Sequence, residues 1–189
     1  MTRIIAGAAR GRRLAVPPGT RTRPTSDRAR ERLFATITAR HGPLAGTAFL
    51  DLYAGSGAVG LEALSRGAAP VLLVESDPAA ARVIRANVTA VGLPGAGLVT
   101  GQVAAVLRRG PGSGPAFGVV VADPPYATGG EEVTAMLTAL RGGWLAPGAL
   151  VAVERATRSG PVAWPGGYAP DRSRRYGEAT FWYGLAAGI

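Results

Sequence analysis

The sequence predicts an α/β protein with a parallel sheet covered by helices on both faces. Three observations predict it. Short apolar runs alternate with segments of helical spacing in a βαβα order. A glycine loop, Gly55-Ser56-Gly57-Ala58-Val59-Gly60, joins one apolar run to a helical segment. A further apolar run, Phe117-Gly118-Val119-Val120-Val121-Ala122, ends abruptly at Asp123-Pro124-Pro125-Tyr126.

In chain order, residues 1–25 are rich in Arg, Gly and Pro. Ile4-Ile5-Ala6 and Arg13-Leu14-Ala15-Val16 read as a small hairpin around Gly7–Gly11. A helix begins at Thr25 or Ser26, with Asp27 in its first turn and Leu33, Phe34 and Ile37 at helical spacing. His41, before Gly42-Pro43, reads as the helix end, and residues 42–46 read as a linker. Thr47–Leu52 is the first core strand, and the helix through Leu61–Arg66 follows the glycine loop. Val71–Val74 is a second strand closed by Glu75, then a helix runs from Pro78 to about Ala90. Leu98–Thr100 is a weaker strand and Val103–Leu107 a short helix. After the Phe117–Ala122 strand, Glu131–Leu140 is a helix with Val133, Met136, Leu137 and Leu140 on one face. Trp144–Gly148 reads as a turn into the strand Ala149–Glu154, and Asp171–Tyr176 with Glu178–Tyr183 as a closing hairpin. Residues 1–45 are thus expected to form a basic arm and helix, and residues 46–189 the main domain.

Composition narrows the function. Without cysteine there is no disulfide, thiolate metal site or cysteine nucleophile. The single histidine, His41, leaves no His-cluster metal site and no Ser-His-Asp triad. No apolar run reaches the roughly 20 residues of a membrane helix, and a cytoplasmic location is expected. The net charge is +9, and residues 1–40 carry ten arginines against Asp27 and Glu31. A nucleic-acid partner is the natural expectation, with Arg10, Arg12, Arg13, Arg23 and Arg28 as its phosphate contacts.

The glycine loop fits a nucleotide-type ligand, because Glu75 stands twenty positions after Gly55, at the next strand's end, where an acid can accept bonds from ribose hydroxyls. Asp51 sits four residues before Gly55. A carboxylate there opposes a pyrophosphate and suits a cation. S-adenosylmethionine carries adenosine, no phosphate, a sulfonium and an ammonium group. Tyr53, Gly55, Ser56 and Gly57 complete the candidate cofactor loop, and Asp123 borders it. Asp123, the Pro124 carbonyl and the Tyr126 ring suit the gripping of a planar exocyclic amine. The acid and the carbonyl each accept one N–H, which aims the nitrogen lone pair, and the ring stacks on the base.

These residues resemble a known family. Asp51–Ala68 around the glycine loop, Arg23-Pro24-Thr25-Ser26-Asp27-Arg28-Ala29-Arg30-Glu31 with Leu33-Phe34, and Asp123-Pro124-Pro125-Tyr126 are together similar to the bacterial 16S ribosomal RNA guanine-N2 methyltransferases of the RsmD type. Arg3–Gly7, Arg10–Leu14 and Arg175-Tyr176-Gly177 fit as well. The resemblance implies a class I, Rossmann-like methyltransferase fold with a seven-stranded sheet and a reversed last strand. It implies a guanine of 16S rRNA as substrate, in the small subunit or an assembly intermediate, and S-adenosylmethionine as donor. It also implies an acid after the third strand that contacts the adenine amine. This chain has Thr100-Gly101-Gln102-Val103 there, so Gln102 or a backbone carbonyl takes that role. An adenine-N6 methyltransferase, a protein-glutamine methyltransferase and a non-catalytic RNA-binding assembly factor are the competing readings.

Overall fold

The computed structural model describes residues 2–18 and 27–188. The expected helix start at Thr25 or Ser26 and the expected contact Arg23 lie outside the described residues. The chain opens with β1 (Thr2–Arg3) paired antiparallel to β2 (Arg13–Leu14), followed by α1 (Asp27–His41). Then come β3 (Phe49–Leu52), α2 (Ala58–Ser65), β4 (Val71–Glu75), α3 (Pro78–Val91) and β5 (Ala96–Thr100). The rest is α4 (Val103–Arg108), β6 (Phe117–Ala122), α5 (Gly130–Leu140), β7 (Leu145–Ala156), β8 (Tyr168–Tyr176) and β9 (Ala179–Ala186).

The main sheet has seven strands in the order β5-β4-β3-β6-β7-β9-β8. Strands β3 to β7 are mutually parallel, and β9 runs antiparallel to both β7 and β8. The central strands are apolar throughout because both faces are covered. Phe49, Val71, Leu73, Val119 and Val121 bury one face with α1, α2 and α3. Leu50, Leu52, Val74, Val120 and Val151 bury the other with α4 and α5. Each such side chain contributes roughly 1.5–3 kcal/mol by leaving water.

The expected turn at Trp144–Gly148 is instead the start of β7, which begins at Leu145. Trp144 is buried against Phe117, with ring centroids 6.1 Å apart, and its Nε1 donates to Leu107 O. The pairing slips between Phe117↔Leu145 and Val119↔Leu150, so the Pro147-Gly148 irregularity is absorbed as a bulge.

The N-terminal segment packs on the same core as the sheet. Ile4, Leu14, Leu33, Phe34 and Ile37 belong to the α2 side of that core. Arg30, read as part of a basic arm, is fully buried beside Glu62, its Nε 3.7 Å from the carboxylate. It also donates to Thr2 Oγ1 at 3.2 Å and to the Arg3 carbonyl. Glu62 accepts from the N–H groups of Ile5 and Ala6 at 2.7 and 3.0 Å. Gly7 lies so close to α2 that an added Cβ would fall 1.8 Å from Ser65 O. No described helix is long and apolar enough to cross a membrane.

Candidate active site at the sheet's carboxyl edge

The strand order reverses between β4-β3 and β6-β7, and a crevice opens at the carboxyl ends of β3 and β6. Leu52 pairs with Val74 on one side and Ala122 on the other, so the loops after β3, β4 and β6 leave the sheet at one level. Asp51, Tyr53, Gly55, Ser56, Glu75, Asp123, Pro124 and Tyr126, all expected from the sequence, line a pocket of about 260 Å³ there.

The cofactor half is built on the backbone of the glycine loop. Asp51 is 3% exposed, and its Oδ2 accepts the Gly60 N–H at 2.8 Å. A Cβ on Gly60 would lie 2.9 Å from Leu73 Cδ2 and 3.1 Å from that Oδ2, so the bond needs glycine. Burial, offset in part by this bond and reinforced by Glu75, pushes the Asp51 pKa up to about 7. Glu75 accepts from Gly55 N at 2.7 Å and from Asp77 N at 2.8 Å. Each of its oxygens keeps a further lone pair for a ligand hydroxyl. Tyr53 has φ 62°, a left-handed conformation costly for a bulky side chain and found where function holds it.

Gly57 packs against Leu73 and Ile84, behind the pocket wall. Gln102 occupies the N-cap position of α4, makes no cap bond, and is exposed outside the pocket lining. Its turn lies beside the pocket all the same, since the Gly101 N–H donates to the carbonyl of the pocket-lining Glu75 at 2.9 Å.

The other half carries Asp123, Pro124 and Tyr126, the residues expected from the sequence to grip an amine. Asp123 N–H donates to Leu52 O at 3.3 Å, while Pro124 is buried. Tyr126 is 54% exposed. Burial, then the Glu154 and Asp51 carboxylates, hold the Asp123 pKa well above the ordinary carboxylate range. Although its side chain is accessible from the pocket mouth, protein surrounds it on most sides. Sequence reading missed Glu154 and Phe181, which close this half, and Val16 and Pro17, which close the cofactor half. Glu154 ends an apolar run as Asp123 does, a signal present in the sequence, but only the register shows that the two are neighbours.

A second pocket, of about 400 Å³, shares Tyr126 and is lined by Thr157, Arg158, Arg175 and Glu178. The expected RNA contacts lie elsewhere. Arg10, Arg12 and Arg13 are exposed, but the Gly7–Ala9 loop beside them docks on Ser65 at the far end of α2. With a rise of 1.5 Å per residue, that end lies about 10 Å from the helix's pocket end. Arg28 is exposed on the first turn of α1 and does not line either pocket. Among the described residues, no group of three His, Cys, Asp or Glu converges to hold a metal ion.

The chain is similar in sequence and fold to known proteins. The family model described as conserved hypothetical protein 95 matches residues 2–184. Ribosomal RNA small subunit methyltransferase D of Escherichia coli is 36% identical over 179 residues, 95% of this chain and 87% of that one. The structure of the putative methyltransferase yhhF from Escherichia coli superposes with a TM-score of 0.85 at 33% identity, covering 100% of this chain and 99% of that one. At 12% identity, a putative methyltransferase complexed with SAH shares the fold alone, with a TM-score of 0.66 over 81% of this chain and 48% of that one. Matched across nearly its whole length by the family model, this chain belongs to the conserved hypothetical protein 95 family.

Proposed function

We propose that this protein is a ribosomal RNA methyltransferase that transfers a methyl group from S-adenosylmethionine to the N2 amine of a guanine in 16S rRNA of the small subunit. The observation that carries the reading is the placement of Asp123, Pro124 and Tyr126 on one pocket with Asp51 and Glu75. The E. coli relative's name supports ribosomal RNA as the substrate class.

The pocket fits the donor. It is acidic, it is bordered by a glycine loop that admits close approach, and its lining contains no arginine among the described residues. Glu75 would hold ribose hydroxyls with its remaining lone pairs, and Asp51 the ammonium group, directly or through water. S-adenosylmethionine supplies a methyl on a sulfonium, so forming the N–C bond breaks the S–C bond and leaves a neutral thioether. Asp123 and the Pro124 carbonyl hold the two amine hydrogens and turn the nitrogen lone pair toward the pocket. The proton leaves to solvent after transfer, and orientation supplies most of the catalysis. Tyr126, exposed at the rim, presents a ring face for the extruded base.

Arg158 and Arg175 in the second pocket are placed to meet the flanking RNA backbone, with Arg10, Arg12, Arg13 and Arg28 as more distant contacts. On this reading residues 1–45 are an RNA-binding arm packed on a catalytic domain of residues 46–189, working in the cytoplasm on the subunit or its assembly intermediate.

Labelled methyl transfer to small subunits, immature subunits, free RNA and DNA, followed by nucleoside analysis, tests the reading. N2-methylguanosine in small-subunit RNA is expected. N6-methyladenosine would overturn the base assignment, and unlabelled RNA would overturn the activity.

A further inference from the structure

The pairing of β6 with β7 puts a second carboxylate beside the amine grip. Ala122 pairs with Val153, so the next residues, Asp123 just past the end of β6 and Glu154 still within β7, stand side by side. Neighbouring strands lie about 4.8 Å apart. Alternation along each strand sends both side chains to the face that buries Val121 and Ala152, the face carrying the pocket. Glu154 also pairs with Phe181 of β9, and all three residues line the pocket. Glu154 is 7% exposed. After burial in each case, its charge is the largest electrostatic influence on both Asp123 and Tyr126, which line the pocket with it.

The chemistry of the target base gives this second acid a task. The Watson–Crick edge of guanine presents three hydrogens, two on N2 and one on N1. Asp123 and the Pro124 carbonyl account for the N2 pair. The N1–H remains, and Glu154 is the carboxylate on the strand next to Asp123 that lines the same pocket. Adenine presents an acceptor at its N1, which a carboxylate would meet lone pair to lone pair.

We propose that Glu154 reads the target base, accepting the N1–H of guanine while Asp123 and Pro124 hold its amine. This rests on the guanine-N2 reading above. A buried acceptor left facing a base without its hydrogen is the arrangement that rejects analogues most strongly.

The test uses the full-length protein and small-subunit particles. Labelled transfer first maps the nucleotide and identifies its product. Particles are then rebuilt with guanine or 2-aminopurine at that position; 2-aminopurine keeps the amine and replaces the N1–H by an acceptor. Wild-type protein should prefer guanine by at least about 100-fold in kcat/KM. In Glu154→Gln the amide can turn an N–H toward an N1 acceptor, so the preference should collapse to within a few-fold or invert. Glu154→Asp should keep the preference at a lower rate. Cofactor affinity by calorimetry should remain within about threefold for both, which also reports that they fold. If Glu154→Gln binds cofactor and still prefers guanine as the wild type does, or loses both bases equally, Glu154 does not read N1. If Glu154→Gln does not fold, loss of the preference in Glu154→Asp overturns the proposal and its retention supports it. Failure of the wild type to form N2-methylguanosine is a separate outcome, since it removes the underlying reading before any variant is compared.

Discussion

The two halves of the pocket use the same residue type in opposite ways. On the β3–β4 side, Asp51 and Glu75 accept backbone N–H groups from Gly60, Gly55 and Asp77. On the β6–β7 side, Asp123 is fixed through its backbone, and its carboxylate accepts no hydrogen bond from the described residues. The first pair of acids is therefore part of the scaffold as well as the site. Asp123 instead holds its acceptors open, at the cost of a raised pKa beside Glu154. A cofactor site reused every turnover is best preorganised by the protein, whereas an amine grip must be completed by the substrate.

The sharpest way to break this contrast is at Asp123. Asp123→Ala should abolish methyl transfer, by about 1,000-fold or more, through loss of orientation. Its calorimetric affinity for S-adenosylmethionine should stay within a few-fold, and near-normal turnover would remove its gripping role. Glu75→Ala should do the reverse and also loosen the fold. Losing charged hydrogen bonds to ribose weakens cofactor binding by about 1.5–3 kcal/mol, and orphaning the Gly55 and Asp77 N–H groups should lower the melting temperature as well. A variant with unchanged cofactor affinity would make Glu75 purely structural.

Tyr126 comes next. Tyr126→Ala should cost about 1–3 kcal/mol in substrate binding, and Tyr126→Phe little, because stacking needs the ring. An equally inactive phenylalanine variant would assign the hydroxyl a role.

The pH response should separate the halves further. Burial raises the Asp51 pKa from 3.8 to about 7 in the ligand-free fold. Its contribution to stability is therefore full below the unfolded value and is lost as pH rises through about 7. A bound ammonium group favours the ionised form, so cofactor affinity should rise with pH below about 7, by at most about tenfold per unit. Asp123 and Glu75 lie in the same field, so Asp51→Asn is the control; a wild-type profile as flat as that variant's would exclude the Asp51–ammonium pairing.

The smallest effects should be at the arginines. Each phosphate contact removed should flatten the log affinity against log salt slope by about 0.7–0.9. Replacing Arg158 and Arg175 by alanine should flatten it more per residue than replacing Arg10, Arg12 and Arg13. Filter binding across a salt series compares the two sets, and the opposite ranking would return the RNA grip to the hairpin.

The sequence by itself determined the features that depend on a few adjacent residues. The exit of β6 at Asp123 follows from two prolines that cannot continue a strand. The glycine loop and its acid at Glu75 follow from one strand-turn-helix unit, and the helical faces from their spacing. Tertiary structure decided what depends on distant partners. Arg30 looks in sequence like one more phosphate contact, yet Glu62 and the β1 backbone take it into the core. Asn87 carries no signal of its own in the sequence, yet it bonds both Ala15 and Ser56 and ties the N-terminal segment to the glycine loop. Pro147-Gly148 looks like a turn, because local propensity is blind to a strand that bulges against its neighbour. Most consequentially, Glu154 stands beside Asp123 only because β6 and β7, separated in sequence by a helix, pair in one register. Strand pairing is a non-local choice made by burial of the whole sheet, so no spacing along the chain could have placed those two acids together.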